Sequence, residues 1–413
     1  MALCDRRVFG ILFYFSFLIC HSTNSNAAEK NFGPRPFHMD LEARASEYRE
    51  FQTSGYSTEL NQIVEAGEKN LAWLKRINAH RIIPLSFSSS ETQTGIPIEQ
   101  PSVYNEEIIQ TSFAELQSQM PFEMFKVLFS RGELTDYPPV DVKLYLEFGR
   151  RLDLIYQSGV RWNTLKKYLA ILVENKFDDM RGYYFLKKEP QVVEEFKIWK
   201  ALKPERRLQL VDWLKQICTN SERNFDRCLR KVSKLEYEKE FTSFFNFYFP
   251  RSEALWHHFF KIRRPRKDVI WSQADSMIVP FRRPGSLAVL SFLKDNIEAE
   301  WMLGSWQLKL NFLPDALTHI EFSPGQMPQV NGVGGSIIRM DENTPLTEYN
   351  VQWAIRHEYG HTLGFEDCYI EFYDLELRAM VNYQFDVDNL MCSRKGHLNE
   401  SHLAELKKNY NKL

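Results

Sequence analysis

Residues 357–367 read His357-Glu358-Tyr359-Gly360-His361-Thr362-Leu363-Gly364-Phe365-Glu366-Asp367. The pattern of residues 350–364 predicts a helix. One turn then separates His357 from His361, and both imidazoles leave the same face with β-carbons about 5–6 Å apart. Two ring nitrogens at that separation suit one zinc ion. Glu358, one position on, falls outside the pair and is placed to take a proton from a metal-activated water. Gly364 can adopt positive φ and turn the chain sharply out of the helix. Asp367, six residues beyond His361, can then swing back as a third ligand. Glu366, Glu371 and Glu376 compete for that role; the last two suit a helix-borne ligand but leave Gly364 without a purpose. His397 and His402 read as surface histidines, and His257, His258 and His319 have no metal spacing. The joint pattern arises by accident on the order of 10⁻⁴ times per chain.

Working outward, residues 287–301 read as an amphipathic helix, residues 306–312 (WQLKLNF) as an alternating strand and residues 319–322 as a second, short one. Residues 332–340 (GVGGSIIRM) look like a glycine-loosened edge strand. Asn399 is placed to cap a final helix reaching Tyr410. Upstream, residues 39–260 are overwhelmingly helical in pattern, with Leu60, Ile63, Val64, Leu71 and Leu74 at three-to-four spacing. The exception is a Ser-, Thr- and Pro-rich loop over residues 82–102. Residues 261–267 (KIRRPRK) place five basic side chains around one proline. They read as a solvated linker, or as a processing site. Charge changes across them. Residues 28–260 hold 33 basic and 33 acidic side chains, whereas residues 268–413 hold 12 and 20, net −8. The expected fold is a mainly α domain over residues 28–260, followed by an α+β domain over residues 268–413 with a small twisted mixed sheet.

The run HEYGHTLGFED resembles the extended motif of the metzincin zinc endopeptidases, H-E-x-x-H-x-x-G-x-x-H, with aspartate in place of the last histidine as in the snapalysins. The resemblance spans about residues 265–413. It implies one Zn2+ per chain held by His357, His361 and Asp367, with Glu358 as general base. It also implies a methionine turn, which Asp388-Asn389-Leu390-Met391-Cys392 would supply, with Met391 beneath the metal. An extended protein or peptide substrate would pair with the edge strand, at Ile337, Ile338, Arg339 and Met340. Two departures stand out. A carboxylate replaces the third imidazole, and no tyrosine lies two residues beyond Met391.

The rest of the chain bounds these expectations. It has 413 residues, 44% hydrophobic, with 52 basic against 54 acidic side chains. That is ample for real cores and lacks the basic excess of a nucleic-acid binder. Arg6 and Arg7 precede the apolar residues 8–20 (VFGILFYFSFLIC), and Ser25-Asn26-Ala27-Ala28 follows. Residues 1–27 therefore read as a signal peptide, and the protein as exported to a periplasmic or extracellular space. No integral membrane segment is expected after signal cleavage. Of the remaining cysteines, sequence proximity pairs Cys218 with Cys228 and Cys368 with Cys392, one of three connectivities. The second pair directly follows Asp367 and Met391, so convergence of those two residues brings the cysteines together. An alternative function is a latent or catalytically weak protease-like protein, whose helical region binds a partner or the envelope. The sequence leaves the oligomeric state open.

Overall fold

The spaced apolar residues of the first half do form helices, and the first four build most of a core that Leu172 and Met380, from later in the chain, also enter. The computed structural model describes residues 57–130, 132–272 and 276–411; the candidate signal peptide lies outside them. Helices α1 (Thr58–Asn78), α2 (Glu106–Gln119), α3 (Phe122–Phe129) and α4 (Val142–Leu165) bury Leu60, Trp73, Leu116, Tyr145 and Leu152 against one another. Ser57 and Asn105 cap α1 and α2 by accepting from the amides of Leu60 and Ile108. The Ser- and Thr-rich segment between α1 and α2 is a loop, as its composition suggests, and ends in the short strand β1 (Ser102–Tyr104).

A second set of helices follows: α5 (Leu169–Asn175), α6 (Arg181–Lys188), α7 (Val192–Lys197), α8 (Pro204–Glu222), α9 (Phe225–Val232) and α10 (Glu238–His258). Its apolar residues do not close on themselves. Leu214, Ile217 and Phe241 belong to the same continuous core as Met277, Ile355, Phe372 and Leu406 from the last third of the chain. The expected separation of residues 28–260 from 268–413 is therefore not a separation in packing.

The sheets are small and mixed. Strand β2 (Ile270–Ser272) pairs antiparallel with β3 (Ser276–Arg282). After helix α11 (Leu287–Leu293) and the two-residue β4 (Met302–Leu303), strand β5 (Trp306–Leu313) lies parallel to β3, with Val279 opposite Leu310. Strand β6 (His319–Ser323) starts a second sheet, in which β7 (Gln329–Val330) and β8 (Ile337–Asp341) follow. Helix α12 (Tyr349–Thr362) carries the HExxH run. The hairpin β9 (Tyr369–Asp374) and β10 (Ala379–Gln384) takes β1 onto the outer side of β10, and α13 (Glu400–Tyr410) ends the fold. Asn399 caps α13 as expected.

Two readings of the sequence require correction. The segment Ile337, Ile338, Arg339 and Met340 is not an edge. Strand β8 lies between β6 on one side, in parallel, and β7 on the other, antiparallel, with Val330 opposite Ile338. Gly332 and Gly334, at φ +103° and +73°, fold the chain back so that Gln329–Val330 takes the outer position. The basic stretch 261–267 is also only partly solvated: Lys261, Arg264 and Lys267 are exposed, whereas Arg263 and Arg266 are not. The Arg263 amide donates to the Gly364 carbonyl at 2.8 Å, its guanidinium meets Glu366 at 3.1 Å, and Arg266, only 6% exposed, pairs with Asp268 and donates to the Pro280 carbonyl. The stretch braces the turn behind the candidate site. Among the described residues, no helix is long and apolar enough to cross a membrane.

Candidate metal centre

Helix α12 delivers His357 and His361 as their spacing requires, with ring centroids 4.7 Å apart and planes at 89°. The Nδ1 atom of His357 lies 3.0 Å from the Leu390 carbonyl, and that of His361 lies 2.9 Å from the Phe365 carbonyl. A carbonyl can only accept, so each ring carries a proton on Nδ1 and turns its Nε2 inward. The two Nε2 atoms are 3.1 Å apart. Asp367 Oδ1 lies 3.0 Å from the first and 3.3 Å from the second.

This triangle has a simple test. Donors about 2.0–2.1 Å from a tetrahedral zinc ion stand about 3.3 Å from one another. The observed sides are 3.0–3.3 Å. Three lone-pair donors facing each other at such distances repel unless a cation or a proton lies among them. All three are nearly sealed from solvent, at 2%, 0% and 1% exposure for His357, His361 and Asp367. Burial disfavours a charged His361, but the carboxylate of Asp367 outweighs it and pushes the imidazolium up to about 9. The residues present fit a divalent cation.

Glu358 is buried beside the pair, and its Oε2 has no hydrogen-bond partner among the described residues. Burial raises its pKa above the ordinary carboxylate value, Asp367 adds to the rise, and the two imidazoles and Arg161 oppose it. A carboxylate raised in this way is a better proton acceptor than one in water.

Both glycines of the motif have a visible cause. Gly364 sits at φ +91°, and a β-carbon there would lie 2.5 Å from the Arg264 carbonyl oxygen. At Gly360 a β-carbon would lie 2.4 Å from the Met391 sulfur, so Met391 packs directly against the helix backbone, one residue before His361. The Cys368 amide donates to the Met391 carbonyl at 3.1 Å, and the Cys368–Cys392 disulfide, with α-carbons 4.4 Å apart, joins the same two loops. Cys218–Cys228 is the other disulfide, as sequence proximity suggested.

The competing candidates are accounted for. Glu366 turns away from the donors toward Arg263. Glu371 is held by Arg161 through Nε at 2.8 Å and through Nη2. Glu376 lies beyond β9. His397 is exposed and meets Glu300. His402, read as a surface residue, is instead buried at 3% exposure, with its ring against Trp301 and Phe365. The apolar spacing of α13 turns that face inward.

Four residues near the centre went unread in the sequence. The Trp353 ring stacks on His357 at 4.6 Å, and Tyr369 flanks the same imidazole at 6.3 Å. Arg161 reaches in from α4, and Arg394 from the turn after Met391. A signal for Arg161 did exist. Asp153, Gln157 and Arg161 recur every four residues on a helix that also buries Leu152, Tyr156 and Val160. A polar stripe within a buried face needs partners. Comparison with known protein families, with curated proteins and with solved structures finds no match.

Proposed function

We propose that the chain is an exported zinc-dependent endopeptidase of metzincin type. The observation that carries this reading is the convergence of two Nε2 atoms and one carboxylate oxygen at 3.0–3.3 Å, next to a buried glutamate whose Oε2 has no hydrogen-bond partner among the described residues. A zinc ion held by His357, His361 and Asp367 would supply Lewis acidity at the scissile carbonyl. Glu358 Oε2 accepts the proton of the attacking water and returns it to the departing amine nitrogen. The Leu390 and Phe365 carbonyls fix both imidazoles, so the donors need no rearrangement.

Several features of the fold support the metzincin reading. β3, β5, β6 and β8 include two parallel pairs, and the outermost strand, β7, runs antiparallel to its neighbour. The active helix, the turn at Gly364, the methionine packed against that helix and the terminal helix then follow in order. An extended substrate would pair with the outer side of Gln329–Val330. Half-buried Arg161, Trp353, Tyr369 and Arg394 mark its way in. The two disulfides agree with an oxidising compartment.

The experiment is metal analysis of the purified chain, together with cleavage of casein in the presence and absence of a chelator. One zinc per chain and chelator-sensitive cleavage are expected. A chain that binds no stoichiometric zinc overturns the reading.

A further inference from the structure

Arg394 is semi-buried without a carboxylate at ion-pair distance, as are Arg150 and Arg151, which donate to the Phe87 carbonyl and to Gln119, but several other semi-buried arginines are paired. Arg181, Arg223, Arg263, Arg266 and Arg356 each hold a carboxylate at 2.6–3.4 Å. Arg394 has no ion pair among the described residues; its Nη1 donates to the neutral Gln157 side chain at 3.0 Å. Gln157 in turn donates to Asp153 at 2.7 Å, so an amide separates the guanidinium from the nearest acid. Burial and the charge of Glu348 push the Asp153 carboxyl up to about 7, against the attraction of Arg394 and the hydrogen bond from Gln157. Burial and the charge of Arg161 both hold the pKa of Arg394 below the ordinary arginine value. A guanidinium remains charged regardless. Two cations are thus near each other, and among the described residues only Arg161 holds a carboxylate at ion-pair distance.

Their position gives this arrangement a use. Arg394 lies three residues beyond Met391, in the turn whose Leu390 carbonyl orients His357, and Tyr349 donates to the Arg394 carbonyl at 3.2 Å, tying it to the first turn of α12. The charge of Arg161 is felt by Arg394 on one side and by Glu358 on the other. Tyr369, beside His357, feels both Arg161 and Asp367. The turn that carries Arg394 thus borders His357 through Leu390, its guanidinium reaches Gln157 one turn before Arg161 on α4, and Arg161 is held on Glu371, two residues beyond Tyr369 on β9.

We propose that Arg394, seconded by Arg161, binds a carboxylate of the substrate close to the scissile bond, so that the enzyme selects acidic peptides. This rests on the peptidase reading above. The carboxylate is either an Asp or Glu side chain or a free C-terminus, since a guanidinium forks onto both in the same way. Arg161 already shares its guanidinium with Glu371, which leaves Arg394 as the principal contact.

The test uses peptides that differ only by Glu or Gln at one position, walked through three places on either side of the cleaved bond. Each is made with a free and with an amidated C-terminus. At one place Glu is expected to exceed Gln in kcat/KM by at least tenfold. Free acids exceeding amides by the same margin instead identify the terminal carboxylate as the ligand. In Arg394→Gln the ratio falls to within about twofold of one, and Arg394→Lys restores part of it; zinc content and melting temperature confirm that both variants fold. A second arm measures binding of the same peptides by calorimetry to Glu358→Gln, where loss of the general base slows turnover about 10³-fold. Acidic peptides binding there while the wild type cuts nothing would sink the peptidase reading and keep the anion site. Cleavage with no Glu/Gln or acid/amide ratio above twofold at any position, or a ratio unchanged in Arg394→Gln, overturns the inference.

Discussion

Two clusters of metal-ligand side chains occur among the described residues, and they look alike on paper. Cys218, Glu222 and Cys228 bring two strong donors and a carboxylate together, as do His357, Glu358 and His361. In the first cluster the sulfurs are bonded to each other, and Lys231 and Tyr248 both hold Glu222 Oε1. Glu222 Oε2, like that of Glu358, has no hydrogen-bond partner among the described residues, so the sulfurs make the difference. No thiolate remains for an ion. In the second cluster a backbone carbonyl takes only Nδ1 of each imidazole, and both Nε2 atoms turn toward each other and toward Asp367 Oδ1. The difference teaches that the lone pairs left over after internal bonding define a site, and residue type alone does not.

The sharpest way to break that comparison is to neutralise both glutamates in turn. Glu358→Gln should lower cleavage about 10³-fold, the scale of a lost general base, while keeping one zinc per chain. Glu222→Gln should leave cleavage within about twofold, since surface-type ion pairs act on stability alone. Equal losses in steady-state assays would mean the two clusters are not functionally distinct.

The disulfides sharpen it next. Replacing Cys368 and Cys392 by serine opens a loop of sequence separation 24, against 10 for Cys218 and Cys228. Loop-closure entropy assigns them about 3.4 and about 2.7 kcal/mol respectively. Denaturant titration should rank them in that order. Only the first pair joins the Asp367 and Met391 loops, so only its loss should also reduce zinc retention on dialysis. A similar loss of zinc in both would detach the metal centre from that staple. Asp367→Ala follows, with zinc affinity weakened about 100-fold by competition titration, at or above the top of the range for supporting residues. Unchanged affinity would pass the third position to another donor.

The parts of this site that were legible in the sequence are those whose geometry is local. The turn spacing of His357 and His361, the glycine at 364 and the cap at Asn399 act within a few residues, and each appears where its local chemistry demands. What failed depends on partners far along the chain. Residues 261–267 carry charge that looks solvated until Glu366, about a hundred residues later, comes to meet Arg263. The GVGGSIIRM pattern identifies a strand but not its neighbours, and the two-residue β7 that covers it is too short to show a period. Arg161 and Arg394 are solitary arginines more than 200 positions apart, and only packing brings their charges together. The break in packing was misplaced for a related reason. A change in net charge marks a change in surface, whereas Leu214 and Phe241 share one core with Ile355 regardless of charge.

His402 offers the smallest but cleanest contrast with the ligand histidines. Its Nδ1 meets the Asn399 side chain at 2.8 Å, no carboxylate faces it at ion-pair distance among the described residues, and burial alone pushes its pKa down to about 4. An unfolded histidine titrates near 6.5, so below that value the unfolded chain binds a proton that the folded chain refuses. Stability from the neutral ring is complete above about pH 6.5 and is lost as the pH falls toward 4. Between pH 7.5 and 5 the loss amounts to about 2 kcal/mol. His402→Gln removes this group, so its unfolding free energy, compared at the two pH values, should fall by about 2 kcal/mol less than that of the parent. A variant as acid-sensitive as the parent would show that the strain of keeping a neutral imidazole buried lies elsewhere, with the partly buried His258 the next group to replace.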